Sequence, residues 1–139
     1  MTITIYHNPA CGTSRNVLAL IRHAGLEPTV FEYLKTAPSE DEIKRLVAGM
    51  GIAVGELLRE KGTPYAELGL ADPRFPDDRL LDFIGQYPVL LNRPIVQTRL
   101  GTKLCRPSEE VLELLPVGKL APFIKEDGEV IVDSGARRA

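Results

Sequence analysis

The sequence predicts an α/β domain, and three features lead there: a strand–helix–strand opening, a helical middle, and a return of strand character before one more helix. The chain has 139 residues, the usual size of one domain, with 44% hydrophobic and 26% charged residues. That composition supports one hydrophobic core and argues against a disordered chain. The expected organisation is a single domain over 1–139, with a helical insertion at about 36–87 dividing the βαβ part from the ββα part.

The elements follow in order. TITIY, Thr2 to Tyr6, is a short β-branched and aromatic run that predicts a strand. HNPACGTSRN breaks it with Pro9 and Gly12. From Ser14 to Ala24, the apolar residues Val17, Leu18, Leu20, Ile21 and Ala24 share one helical face, and Gly25 and Pro28 end the run. TVFEYL, residues 29–34, alternates as a second strand. Ser39 and Glu42 form a capping box ahead of Ile43, Leu46 and Val47, with Gly49 and Gly51 stopping that helix. Short helical pieces are expected around Ala53–Arg59 and Pro64–Leu68, and a further helix from Asp77 to Gln86 with acids in its first turn. Ile95–Thr98 and Lys103–Cys105 predict an antiparallel pair turning at Leu100–Thr102. Pro107 and Ser108 open a last helix carrying Val111, Leu112, Leu114 and Leu115 up to Pro116. The tail from Val117 to Ala139 shows only a turn at Asp127–Gly128 and a weak strand EVIVD.

This order, βαβ, helices, ββα, is that of the thioredoxin-like fold with a helical insertion. It places Cys11 in the loop between the first strand and the first helix, where free N–H groups and the positive end of the helix dipole favour a thiolate. A thiolate is a nucleophile, Gly12 permits close backbone approach, and Thr13 and Ser14 add hydroxyl donors. An inert buried cysteine is the competing reading, which the flanking Pro9 and Gly12 weaken. His7 fits two roles equally well: imidazolium or hydrogen-bond partner of the thiolate, or a strand-end side chain capping the turn. Arginines outnumber lysines eleven to six. Their planar fork suits tetrahedral oxyanions, although any single arginine is more often a solvated charge. Arg93 precedes Pro94 at a strand start and Arg106 closes the next strand, both candidates for the sheet end that bears the first loop. Pro94 is a candidate cis-proline or an ordinary trans residue at a strand edge. Cys105 fits packing better than a resolving role.

The composition also excludes classes. Lys and Arg total 17 against 19 Asp and Glu, a net charge of −2, which disfavours nucleic acid as the main partner. No apolar run is long enough to span a bilayer, and the N-terminus does not read as a cleavable leader, so a cytoplasmic protein is expected. Two distant cysteines make no disulfide framework, and with His7 and His23 they lack zinc spacing, so no metal is expected. Neither G-x-G-x-x-G nor G-x-x-x-x-G-K-[ST] occurs. The C-x-x-x-x-x-R loop of phosphatases is absent too: Val17 stands six after Cys11, and Arg15 comes too early.

At YHNPACGTSRN the chain strongly resembles the glutaredoxin-coupled arsenate reductases, and the likeness continues through ELLREKGTPYAELGL, PVLLNRPIVQT and GTKLCRPSEEVLELL. A lone C-G-T-S motif is weak, but four segments in the same order are specific. The resemblance implies that Cys11 attacks arsenate and becomes bound to arsenic. It implies that Arg59, Arg93 and Arg106 hold the oxyanion, that His7 and Ser14 stabilise the thiolate, and that Pro94 is the cis-proline of the fold. It further implies glutathione as co-substrate and glutaredoxin as partner, with no bound cofactor; that no nucleic-acid or membrane partner is expected follows from the charge balance and the lack of a long apolar run. Two other readings stand beside it. A redox-sensing transcriptional adaptor of the same fold commonly carries C-x-x-C, whereas Ser14 holds the second position here. A general monothiol oxidoreductase would not need the arginines.

Overall fold

The computed structural model describes residues 2–133, so residues 134–139 of the tail lie outside the described residues. The chain divides into two compact units, Met1–Glu32 with Arg93–Ala139, and Tyr33–Asn92.

The first unit holds the sheet. Strand β1 (Thr4–His7) leads into helix α1 (Gly12–His23) and returns as β2 (Thr29–Glu32), parallel to β1 with Ile5 opposite Val30. Strands β3 (Ile95–Thr98) and β4 (Gly101–Leu104) form a hairpin with a two-residue turn, Arg99–Leu100. β3 pairs antiparallel with β1, setting Ile5 opposite Val96, and the sheet order is β2-β1-β3-β4. This is the thioredoxin-like arrangement of a parallel βαβ joined to an antiparallel hairpin. The i, i+3, i+4 spacing of Val17, Leu20 and Ile21 turns one face of α1 onto Ile3, Ile5 and Val96. All of these side chains are almost fully buried, so truncating Leu20 or Ile21 to Ala costs about 2–5 kcal/mol. α1 ends where Gly25, at φ +79°, adopts the left-handed conformation, with the Leu26 N–H donating to the Ile21 carbonyl.

The last helix departs from expectation: Ser108–Leu114 is a 3₁₀ helix of seven residues. Its buried residues, Ser108, Val111 and Leu114, recur every third position, the period at which 3₁₀ side chains eclipse. With Pro107 before it and Pro116 close behind, two tight turns fill the available length. The tail adds a small hairpin, β5 (Phe123–Ile124) with β6 (Val130–Ile131). The weak strand read in EVIVD is therefore real but two residues long, and its partner at Phe123 left no pattern in the sequence.

The second unit is helical. In α2 (Glu40–Met50) the Ser39 hydroxyl accepts from the Glu42 N–H at 3.1 Å, and Gly51 closes the helix at φ +70°. Gly49, expected to help end it, lies inside the helix. Helix α3 spans Asp77–Gln86. Between them, Val54–Leu57 is one 3₁₀ turn, and 64–70 is a run of turns closed by bonds such as Leu68 N–H to Pro64 O, 2.9 Å. Leu58 and Leu91 make an isolated antiparallel bridge, where the Arg59 N–H donates to Leu90 O and the Asn92 N–H to Leu57 O. Among the described residues no helix is long and apolar enough to cross a membrane.

Candidate active site

Cys11 is the N-cap of α1, in extended conformation at φ −96°, ψ 121°. Thiols are uncommon in this position, where hydroxyl and amide side chains usually meet the free N–H groups of the first turn. The preceding loop is built to hold it there. The Asn8 side chain accepts from the Ala10 N–H at 2.9 Å, and the Asn8 carbonyl accepts from the Cys11 N–H at 3.0 Å. Asn followed by Pro is a turn signal, and this Asx turn is its product.

Ser14, fully buried in the first turn, fastens the loop to the helix. Its hydroxyl accepts from the Asn8 N–H at 3.1 Å and shares a 2.6 Å hydrogen bond with His7 Nδ1. His7 therefore meets the thiol loop through Ser14. Burial lowers the imidazole pKa, and Arg22 and Arg15 add to that effect against an opposing pull from Glu32. The neutral ring is favoured over the imidazolium that the sequence left open.

Around the sulfur the balance runs the other way. Burial pushes the Cys11 thiol up, but the Ser14 backbone N–H, the charge and hydrogen bond of Arg93, and a hydrogen bond from Arg106 outweigh it, so the thiol lies below its ordinary value. Arg106 Nη1 stands 3.8 Å from Cys11 Sγ and donates to the Arg93 carbonyl at 3.2 Å. The β3–β4 hairpin explains how these residues meet. Arg93 precedes β3 and Arg106 follows β4, and the Cys105 N–H donates to Pro94 O at 2.9 Å. Both Arg93–Pro94 and Arg106–Pro107 are cis, the second with no signal in the sequence. The Ser108 hydroxyl, 3.4 Å from the Thr13 carbonyl, joins the 3₁₀ helix to the first turn of α1.

Arg59 belongs to the second unit, where its Nε donates to the Lys61 carbonyl at 2.8 Å. Cys105 lies in the first unit's apolar core, fully buried, its thiol pushed up to about 12 chiefly by burial. Among the described residues no group of three or more His, Cys, Asp or Glu side chains could hold a metal ion.

A cysteine at a helix N-terminus on a thioredoxin-like sheet, beside two arginines, defines a thiolate site suited to anionic partners. The model of the ArsC family matches residues 6–114, and the chain belongs to that family. It is 59% identical over 138 residues to an arsenate reductase of Rhizobium meliloti (strain 1021), covering 99% of each chain. It is 60% identical over 136 residues to one of Escherichia coli (strain K12), covering 98% of this chain and 96% of that one. Among solved structures it resembles an arsenate reductase from Vibrio cholerae, with a TM-score of 0.79 and 42% identity over 83% of this chain and 98% of that one.

Proposed function

We propose that this protein is an arsenate reductase acting in arsenical detoxification, with Cys11 as its nucleophile. The observation that carries the reading is the pairing of a lowered thiol with Arg106 Nη1 at 3.8 Å and the Arg93 charge beside it. Its kinship with relatives that bear the name arsenate reductase supplies the substrate. Arsenate, like phosphate, carries roughly one to two negative charges near neutral pH, which guanidinium groups offset.

The Cys11 thiolate bonds to As(V), and one arsenic oxygen leaves as water. Glutathione replaces a second oxygen, again releasing water. A glutaredoxin thiolate then attacks the glutathione sulfur. The As–S bond to glutathione breaks and leaves its electron pair on arsenic, now As(III), while a mixed disulfide forms on glutaredoxin. Water releases arsenite and returns the Cys11 thiol. A protein with one active thiol needs such an external thiol to complete a two-electron reduction. In this reading Arg59, Arg93 and Arg106 hold the oxyanion, Ser14 and His7 support the thiolate loop, and Pro94 shapes the adjoining turn. The chain works as one cytoplasmic domain over 1–139, interrupted by the helical segment at about 36–87, and carries no bound cofactor.

The test is NADPH consumption by purified protein with arsenate, glutathione, glutaredoxin and glutathione reductase, each omitted in turn. Turnover that requires arsenate, glutathione and glutaredoxin together is expected. No turnover from protein with a reduced Cys11 overturns the assignment.

A further inference from the structure

Arg15, in the first turn of α1 beside the thiol loop, is an arginine that the proposed oxyanion site does not use, and its side chain is fully committed elsewhere. Nε donates to Glu126 Oε2 at 2.9 Å and Nη2 to Glu126 Oε1 at 2.9 Å, a two-pronged ion pair. Nη1 donates to the Pro9 carbonyl at 2.9 Å, inside the loop that carries Cys11. Asn16, the next residue of α1, accepts from the Glu126 N–H through Oδ1 at 3.1 Å. The pair lies against Gly12: a Cβ there would stand 3.7 Å from Arg15 Nη2 and 3.9 Å from Glu126 Oε1.

Glu126 sits in the turn of the β5–β6 hairpin, and that turn is anchored independently. The Lys125 N–H donates to the Glu129 carbonyl at 2.8 Å. Lys125 Nζ, on a side chain only 9% exposed, bonds Glu109 of the 3₁₀ helix at 3.1 Å and Glu129 at 2.9 Å. The hairpin is thus a brace with one foot on the 3₁₀ helix and the other on the first turn of α1.

We infer that Glu126 is a positioning residue for Cys11, acting through Arg15 to hold the Pro9–Gly12 loop in the geometry that offers the sulfur its N–H and guanidinium donors. Two effects of removing Glu126 oppose each other. Losing a negative charge near the thiol stabilises the thiolate, whereas releasing Arg15 from the loop weakens the donors around the sulfur. The positioning role requires the second effect to win.

The experiment is the pH dependence of iodoacetamide alkylation of Cys11 in the full-length wild type, E126A, E126Q and, as a control outside the brace, E67Q at an exposed glutamate of the second unit. Cys105, fully buried with its thiol pushed up to about 12, stays silent. E126A and E126Q remove the same charge, but the glutamine keeps an acceptor oxygen for Arg15. An upward shift of about half a unit is expected for E126A, the size a half-exposed ion pair can supply, with a smaller shift for E126Q. Arsenate turnover by E126A is expected to fall about threefold at neutral pH and to recover as the pH is raised through the shifted value. E67Q keeps the wild-type midpoint. A downward shift in both variants, or equal midpoints for E126A and E126Q, overturns the inference. The inference rests on Cys11 being the working thiol, but alkylation needs no arsenate, so its failure and failure of the reductase reading are separately visible.

Discussion

The two cysteines of this chain differ less in burial than in what surrounds the sulfur. Cys11 is 8% exposed and Cys105 is fully buried, both are free thiols, and both belong to the unit that holds the sheet. Burial raises both thiols. At Cys105 only Lys103 opposes it and Glu110 adds to it, so the thiol rises from an ordinary 9.0 to about 12. At Cys11 the Ser14 N–H, Arg93 and Arg106 reverse the sign. A buried cysteine is thus a packing residue by default. It becomes a nucleophile where backbone N–H groups and guanidinium groups converge on its sulfur.

The largest effect expected from breaking this contrast is at the nucleophile itself. C11S should abolish arsenate turnover with little change in melting temperature, while C105A should retain turnover. Retained turnover in C11S would end the covalent mechanism.

Next come the cations. R106A and R93A should each raise the Cys11 midpoint by about one unit, read from alkylation rate against pH. With R59A they should raise the arsenate concentration for half-maximal rate roughly tenfold or more, the size of a lost charge-assisted hydrogen bond. K61A, on the residue whose carbonyl accepts from Arg59, should leave both quantities near wild type. Equal effects from all four variants would remove the arginines from the site.

S14A should act more on stability than on the thiol. It keeps the backbone N–H that faces Cys11 but leaves buried His7 and the Asn8 N–H short of a partner. A loss of about 1–3 kcal/mol in urea unfolding is expected, with a smaller midpoint shift than in R106A.

The subtlest difference is in alkaline stability. For Cys105 the folded value is raised, so its contribution is complete below 9.0 and is lost as the pH climbs towards about 12, because the unfolded chain deprotonates first. For Cys11 the folded value is lowered, so its contribution is complete above 9.0 and is lost as the pH falls through the folded value. Urea midpoints should therefore decline less steeply above pH 9 in C105A than in wild type. In C11S the gain just below that pH should vanish. Parallel curves for all three proteins would mean that the thiol environments are not as described.

Local signals carried much of this structure in the sequence. Val17, Leu20 and Ile21 specify α1, Ser39 with Glu42 specifies the start of α2, and Ile95–Thr98 is the strand that its β-branched residues indicate. Cys11 was legible because Pro9 and Gly12 mark the loop and the apolar face marks the helix behind it. The rest depends on distances no local pattern encodes. Arg106 is a candidate through its place at a strand end, but its reach to Cys11 across 95 positions is not written there; Glu126, which reaches Arg15 across 111, does not differ locally from a solvated surface charge. His7 has two readings, a partner of the thiolate or a strand-end side chain capping the turn, and nothing local chooses between them; its bonded partner is Ser14, seven positions on, across the turn. The last helix read as α-helical because a run of seven residues does not distinguish a period of three from one of 3.6.

The most direct test of the central claim is the alkylation rate of Cys11 against pH, with and without arsenate, followed by mass spectrometry of the modified peptide. Cys11 should be the modified residue, with a midpoint below 9.0, and arsenate should slow the reaction. A midpoint at or above that value, or a rate that arsenate leaves unchanged, would contradict a poised thiolate in an oxyanion site.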